Sequence, residues 1–181
     1  MTKVYCLNGV HTSGKSVVGK ELQKRGYYVL EESAKTLIDQ GNNPFGKGKL
    51  SGDRFQRTVM EMEFERESEI AENTVIETYH PGNIAHCMLV ANRDTLTEYE
   101  RRFSDILERR ELLAVYLQIP FEEIEKRSKL FPKVTLEIVE FYKKLEGQLF
   151  SIYSRFGIPY TIVNNCRGLG DTVEEVEGLI I

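Results

Sequence analysis

The segment Gly9-Val10-His11-Thr12-Ser13-Gly14-Lys15-Ser16 matches GxxxxGK[ST] at every fixed position. Its flanks make it a constraint on the fold. Val4 to Leu7 is a short apolar run, and Ser16 to Lys24 reads as an amphipathic helix closed by Gly26. A strand, a glycine-bounded turn and a helix in that order wrap backbone N–H groups around an anion. The helix then points its positive end at the same anion. Lys15 supplies a cation for the β- and γ-phosphates of a nucleoside triphosphate, and the Ser16 hydroxyl is placed to ligate Mg²⁺. The residues assigned to the triphosphate are therefore Gly9, Val10, His11, Thr12, Ser13, Gly14, Lys15, Ser16 and Val17.

The rest of the chain alternates strand-like and helix-like segments, the pattern of an α/β protein with a mostly parallel sheet. Tyr27 to Leu30 is the second strand, and Ser33 to Gln40 a helix that stops at Gly41. Gly41 to Lys49 is polar and rich in breakers, so a loop over about 41–52 is expected to move. Asp53 to Glu72 predicts one long helix, with Phe55, Val59, Met62, Arg66 and Ile70 three or four apart. Thr74-Val75-Ile76 is the third strand. Asn83 to Arg110 is helical with a break near Asn92 to Asp94, and Leu112 to Ile119 is a fourth strand stopped by Pro120. Helices over about 121–130 and 135–155, a strand from Tyr160 to Val163 and a helix from Thr172 to Leu179 complete the chain. No repeat or linker interrupts it, which implies a single domain over 1–181.

Charge and cysteine usage narrow the partners. A net charge of −4 argues against a general nucleic-acid or anionic-membrane surface, so any polyanion must be held by a local cluster of cations. No apolar run reaches the length of a membrane span, and the N-terminus enters a strand-like segment directly, so neither signal peptide nor anchor is expected. Cys6, Cys87 and Cys166 are far apart and odd in number, which fits a reducing cytoplasm rather than a disulfide framework. His11, His80 and His86 lack metal-ligand spacing.

A second acid for Mg²⁺ should end an apolar strand beside the phosphate loop. Thr74-Val75-Ile76-Glu77 offers one, with Glu77 able to hold the ion or a water bound to it. Two signals of a GTP-hydrolysing switch are missing. The last strand runs into Asn164-Asn165-Cys166-Arg167 where NKxD would read guanine, and Glu77-Thr78-Tyr79-His80 stands where DxxG would follow the third strand.

With these motifs in place, the whole chain resembles the small P-loop kinases of nucleosides and nucleoside monophosphates. Its local wording is most similar to deoxynucleoside and thymidylate kinases, and to kinase-like ATPases with an EESA segment. The resemblance implies the P-loop NTPase fold, a three-layer sandwich with a five-stranded parallel sheet in the order 2-3-1-4-5. In Glu31-Glu32-Ser33-Ala34-Lys35, Glu31 falls on the glutamate that serves deoxynucleoside kinases as general base toward the sugar hydroxyl, with Glu32 the adjacent alternative. Glu77-Thr78-Tyr79 falls on the family's segment after the third strand, but Thr78 stands where an arginine is usual.

Three further segments resemble the family's. Pro120 to Lys129 resembles its strand–Pro–helix–basic lid, which implies a lid over about 126–134 with Arg127, Lys129 and Lys133 closing on the triphosphate. Phe55-Gln56-Arg57 resembles the Phe-Gln segment that reads an acceptor base, while Arg54 and Arg57 could instead meet an acceptor phosphate. The loop Asn164 to Gly170 lies where such kinases hold the donor adenine, with Arg167 placed to stack on it.

Together these readings imply a cytoplasmic, Mg²⁺-dependent phosphotransferase passing the γ-phosphate of ATP to a small acceptor, a nucleoside or nucleotide. Lys15, Glu31 and Arg127 would be catalytic, Ser16 and Glu77 would hold the metal, and Glu31, Phe55, Gln56 and Arg57 would meet the acceptor. A homodimer is compatible with this reading. Two other classes stay open: a nucleotide-binding regulatory ATPase that transfers nothing, and a kinase of polynucleotide 5′ ends using Lys47, Lys49, Arg54 and Arg57.

Overall fold

A computed structural model of the chain describes residues 1–42, 50–129 and 136–180. Most of the expected mobile loop, with Lys47 and Lys49, lies outside the described residues, as does the lid beyond Lys129, with Lys133.

Five strands form one parallel sheet: β1 Thr2–Asn8, β2 Val29–Leu30, β3 Thr74–Glu77, β4 Arg110–Gln118 and β5 Tyr160–Asn164. Their order is β2-β3-β1-β4-β5. The helices between them are α1 Lys15–Lys24, α2 Ser33–Asp39, α3 Gly52–Glu65, α4 Tyr79–Val90, α5 Arg93–Leu107, α6 Phe121–Lys129, α7 Leu136–Phe156 and α8 Leu169–Glu177. No helix among the described residues is long and apolar enough to cross a membrane.

Strand periodicity builds the three layers. Successive side chains point to opposite faces, so β1 divides its apolar run between two cores. Val4 and Cys6, with Ile76, Ala114 and Tyr116, face Met60, Ile84, Tyr99, Phe103 and Leu149 of α3, α4, α5 and α7. Tyr5 and Leu7, with Val75, Val115, Leu117 and Val163, face Val18 and Leu22 of α1 and Val173 and Val176 of α8. Both faces are covered, which is why the central strands read as near-continuous apolar runs. Cys6, Cys87 and Cys166 are free thiols.

Two element boundaries differ from expectation for identifiable reasons. The long helix ends at Glu65 and gives way to a 3₁₀ turn over Arg66–Glu69. That turn brings Glu67 inward, where its carboxylate meets the Tyr79 hydroxyl, His80 Nε2 at 3.1 Å and Arg110 Nε at 3.1 Å. Arg110 also donates to the carbonyls of Glu67 at 2.7 Å and Ile70 at 3.1 Å, tying the turn to β4. Helix α4 starts at Tyr79 rather than Asn83, because Thr78 turns the chain abruptly with φ 67° and ψ −46°. Pro81 is tolerated there, since it falls in the first turn, where backbone N–H groups have no helical partner.

Candidate active site

The C-terminal ends of β1, β3 and β4 converge on one edge of the sheet, where open α/β sheets place their ligands. The turn after β1 has the geometry an anion requires. Gly9 has φ 152°, and a side chain there would come within 2.8 Å of the Leu117 carbonyl. Ser13 N–H closes the turn on the Val10 carbonyl at 3.1 Å. Lys15 Nζ folds back onto the carbonyls of Gly9 at 2.8 Å and Val10 at 3.4 Å. The Thr12 and Ser13 hydroxyls are buried and meet no partner among the described residues. Orphaned donors in a glycine-bounded cradle suit the oxygens of a phosphate.

Beside the cradle, Ser16 Oγ donates to Glu77 Oε2 at 2.7 Å. Burial pushes the Glu77 carboxyl above its usual range, against the opposing pull of the Ser16 hydroxyl and the Lys15 ammonium. A hydroxyl and a carboxylate in contact at the phosphate end of a cleft fit Mg²⁺, which keeps its remaining positions for phosphate oxygens and water. No group of three acidic, His or Cys side chains able to hold a metal unaided occurs among the described residues. Helix α1 reaches this acid because position 19 is glycine: a Cβ there would lie 2.7 Å from Glu77 Oε1.

A cleft of about 830 Å³, counting its open mouth, extends from the cradle between α2, α3, α4 and α7. Asn8, Val10, His11 and Lys15 form its inner end, and Phe55, Gln56, His86, Tyr142 and Leu149 line its walls. His11 stacks on Tyr142 with centroids 5.9 Å apart. Burial pushes the His86 imidazole down to about 4, and burial together with Lys15 lowers His11, so His86 is neutral near pH 7.

Of the two neighbouring acids, Glu32 is the one that lines this cleft, accepting from Thr78 Oγ1 at 2.8 Å. Glu31 does not. Its side chain is 49% exposed and pairs with Lys35 at 2.7 Å, a bond that holds its carboxyl below the usual range. It lines a separate shallow depression with Thr36 and Met62, so of the two acids Glu32 is the one that shares a cleft with Lys15. Thr78, expected to stand where an arginine is usual, is the residue that holds that carboxylate. A β-branched residue at φ 67°, followed by Tyr79 at φ 38°, is strained backbone beside a cleft.

The other expected residues divide similarly. Phe55 and Gln56 both line the cleft, and Cys87 Sγ donates to Gln56 Oε1 at 3.7 Å. Arg57 turns away from it, donating to Glu98 at 2.9 Å and Thr95 at 3.0 Å. Arg127 reaches back from α6 to the phosphate loop, donating to the carbonyls of Thr12 and Asn165, each at 3.1 Å. Arg167 pairs with Glu175 of α8 instead of facing the cradle. Asn165 takes its place there, donating to the Ser13 carbonyl and accepting from Thr172 Oγ1 at 2.9 Å. Sequence reading missed Asn165, His86, Tyr116, Tyr142 and Glu146. Nothing in their spacing marks them, because β4, α4, α7 and the turn after β5 bring them to the site only when these elements pack.

No family model matches the chain, and no curated protein matches it in sequence. Solved structures do resemble it. A thymidylate kinase from Candida albicans superposes with TM-score 0.68 at 15% identity, covering 99% of this chain and 91% of that one. A deoxyadenosine kinase from M. mycoides, solved with dCMP and dCDP, gives 0.65 at 13% identity over 98% and 97%. The YorR protein of Bacillus subtilis, in complex with phosphorylated GDP, gives 0.62 at 15% identity over 98% and 95%. The chain has the fold of the P-loop kinases. The five-stranded parallel sheet in the order β2-β3-β1-β4-β5 is that of this fold.

Proposed function

We propose that this protein is a kinase that transfers the γ-phosphoryl group of ATP to the hydroxyl of a small, nucleoside- or nucleotide-like acceptor. The observation that carries the proposal is Glu32, a carboxylate lining the same cleft as Lys15 and the phosphate cradle. The backbone of residues 9–16, the Thr12 and Ser13 hydroxyls and Lys15 would bind the triphosphate. Ser16 and Glu77 would hold Mg²⁺, which when bound neutralises charge on the phosphates. Glu32, held by Thr78, would orient the acceptor hydroxyl and take its proton as the phosphoryl group departs. Phe55 and Gln56 would position the acceptor's ring. Arg127 would exchange the Thr12 carbonyl for phosphate oxygen as the nucleotide enters, adding charge at the transferring group.

The test is a screen of nucleosides and monophosphates with labelled ATP. Wild type is expected to label at least one acceptor. Glu32→Gln should lower turnover by roughly 10²–10⁴-fold, the usual contribution of a positioned base. Glu31→Gln should stay within a few-fold of wild type. ATP binding without any labelled product would overturn the kinase proposal, and equal rates for Glu32→Gln and wild type would overturn the base.

A further inference from the structure

We infer that the acceptor enters without a phosphate of its own, as a neutral or cationic aromatic alcohol of the nucleoside class, and that Glu146 selects it. The inference deepens the kinase proposal and rests on it.

The charges around the cleft carry the argument. Among the described lining residues the charged side chains are Lys15, Glu32 and Glu146. Lys15 is held against the carbonyls of Gly9 and Val10, at the end where the donor's phosphates belong. The two carboxylates come from different walls, Glu32 from the start of α2 and Glu146 from α7. Each accepts from a neutral hydroxyl: Thr78 Oγ1 on Glu32 at 2.8 Å and Tyr116 OH on Glu146 at 2.7 Å. Neither is joined to a basic side chain by an ion pair among the described residues. Of the two arginines the sequence offered to an acceptor phosphate, Arg57 is engaged by Glu98 at 2.9 Å, and Arg54 is exposed and does not line the cleft. A site for a phosphate dianion would gather guanidinium groups, and the described lining of this one presents acids.

The remaining lining fits a flat ring with a polar edge. Ile38, Phe55, Leu145 and Leu149 supply apolar contact, Tyr116 and Tyr142 supply rings, and Gln56 supplies a donor and an acceptor. Hydroxyls of a sugar, or a positive charge on a ring, would satisfy the free lone pairs of Glu146. The reaction also favours an alcohol. Its oxygen bonds to the γ-phosphorus as the bond to the β–γ bridging oxygen breaks, the electron pair leaves with ADP, and the hydroxyl proton passes to Glu32. A monophosphate's attacking oxygen carries no such proton at neutral pH and would meet Glu32 as a like charge.

The experiment compares nucleosides with their own 5′-monophosphates. kcat/KM is measured with labelled ATP, and affinity by calorimetry in the presence of Mg²⁺ and a non-hydrolysable ATP analogue. Nucleosides should be preferred by at least about a hundredfold, the scale at which opposed like charges discriminate partners. Glu146→Gln should raise the nucleoside KM roughly tenfold, narrow the preference by a similar factor and leave the KM for ATP unchanged. Tyr116→Phe should shift the preference in the same direction. Neither change is expected of a residue that only packs α7. A wild-type preference for monophosphates, or an unchanged ratio in both variants, would sink the inference while leaving the kinase proposal standing. If neither acceptor class is labelled, the kinase proposal fails and calorimetry still decides the cleft's ligand. Binding of nucleosides alone supports the inference; binding of monophosphates, or of neither, overturns it.

Discussion

His86 is a titratable ring that the fold keeps neutral. It lines the cleft on α4, and burial lowers it to about 4, whereas in an unfolded chain the imidazole titrates near 6.5. Between those values the unfolded chain holds a proton that the native one refuses, so stability falls as pH drops from about 6.5 toward 4. The limiting slope for one group is about 1.4 kcal/mol per pH unit. His86 keeps partial solvent contact, so about 1 kcal/mol between pH 7.5 and 5 is the expected loss from this residue. Glu77, raised in the native state, works in the opposite sense, since its burial penalty disappears once it is protonated. Urea unfolding of wild type and His86→Gln at both pH values isolates the histidine. The variant should lose about 1 kcal/mol less than wild type, and parallel losses would show that His86 is not the source.

At the scale of elements, the contact between α1 and β3 is the most exacting. Glu77 ends β3 and reaches Ser16 across 2.7 Å, and Gly19 leaves the space through which it does so. Gly19→Ala would put a methyl 2.7 Å from Glu77 Oε1 and 3.4 Å from Val29 Cγ1. Alanine favours the helix by about 1 kcal/mol, so the fold should tolerate the change. The displaced carboxylate should weaken Mg²⁺-dependent ATP binding by about tenfold, roughly 1.4 kcal/mol. Titration of ATP with and without Mg²⁺ checks this, and unaltered Mg²⁺ dependence would mean that Glu77 moves aside freely. The motif and the acid ending β3 were legible in the sequence because each belongs to one short element. Which of Glu31 and Glu32 faces the cleft was not. Neighbours on an extended segment point to opposite sides, and parity follows from the pairing of Leu30 with Ile76, a contact between distant segments. The 3₁₀ turn at Arg66–Glu69 was hidden for a similar reason, since it serves Tyr79, His80 and Arg110 rather than its own helix.

For the whole molecule, layer order was readable because apolar periodicity and parallel connections restrict it strongly, whereas the cleft wall is assembled from four helices whose mutual placement no local pattern encodes. That same assembly predicts how the molecule should answer its ligand. The phosphate loop joins β1 to α1, Asn165 ties it to the end of β5, and Arg127 ties it to α6. A nucleotide bound there engages both faces of the sheet at once and has no counterpart in the unfolded chain. It should therefore stabilise globally, by about 2.7 kcal/mol at a hundred times its dissociation constant. For a chain of this length that is a rise in melting temperature of roughly 5–10 °C. Chelation of Mg²⁺ should remove most of the rise, because Ser16 and Glu77 would then face the phosphates without the ion. Lys15→Ala should abolish it while changing the ligand-free melting temperature little, since among the described residues Lys15 donates to carbonyls of its own loop. Thermal melts of both proteins with ATP, with ATP and Mg²⁺, and with chelator separate these outcomes. A full rise in the Lys15 variant would place the nucleotide somewhere other than the turn after β1.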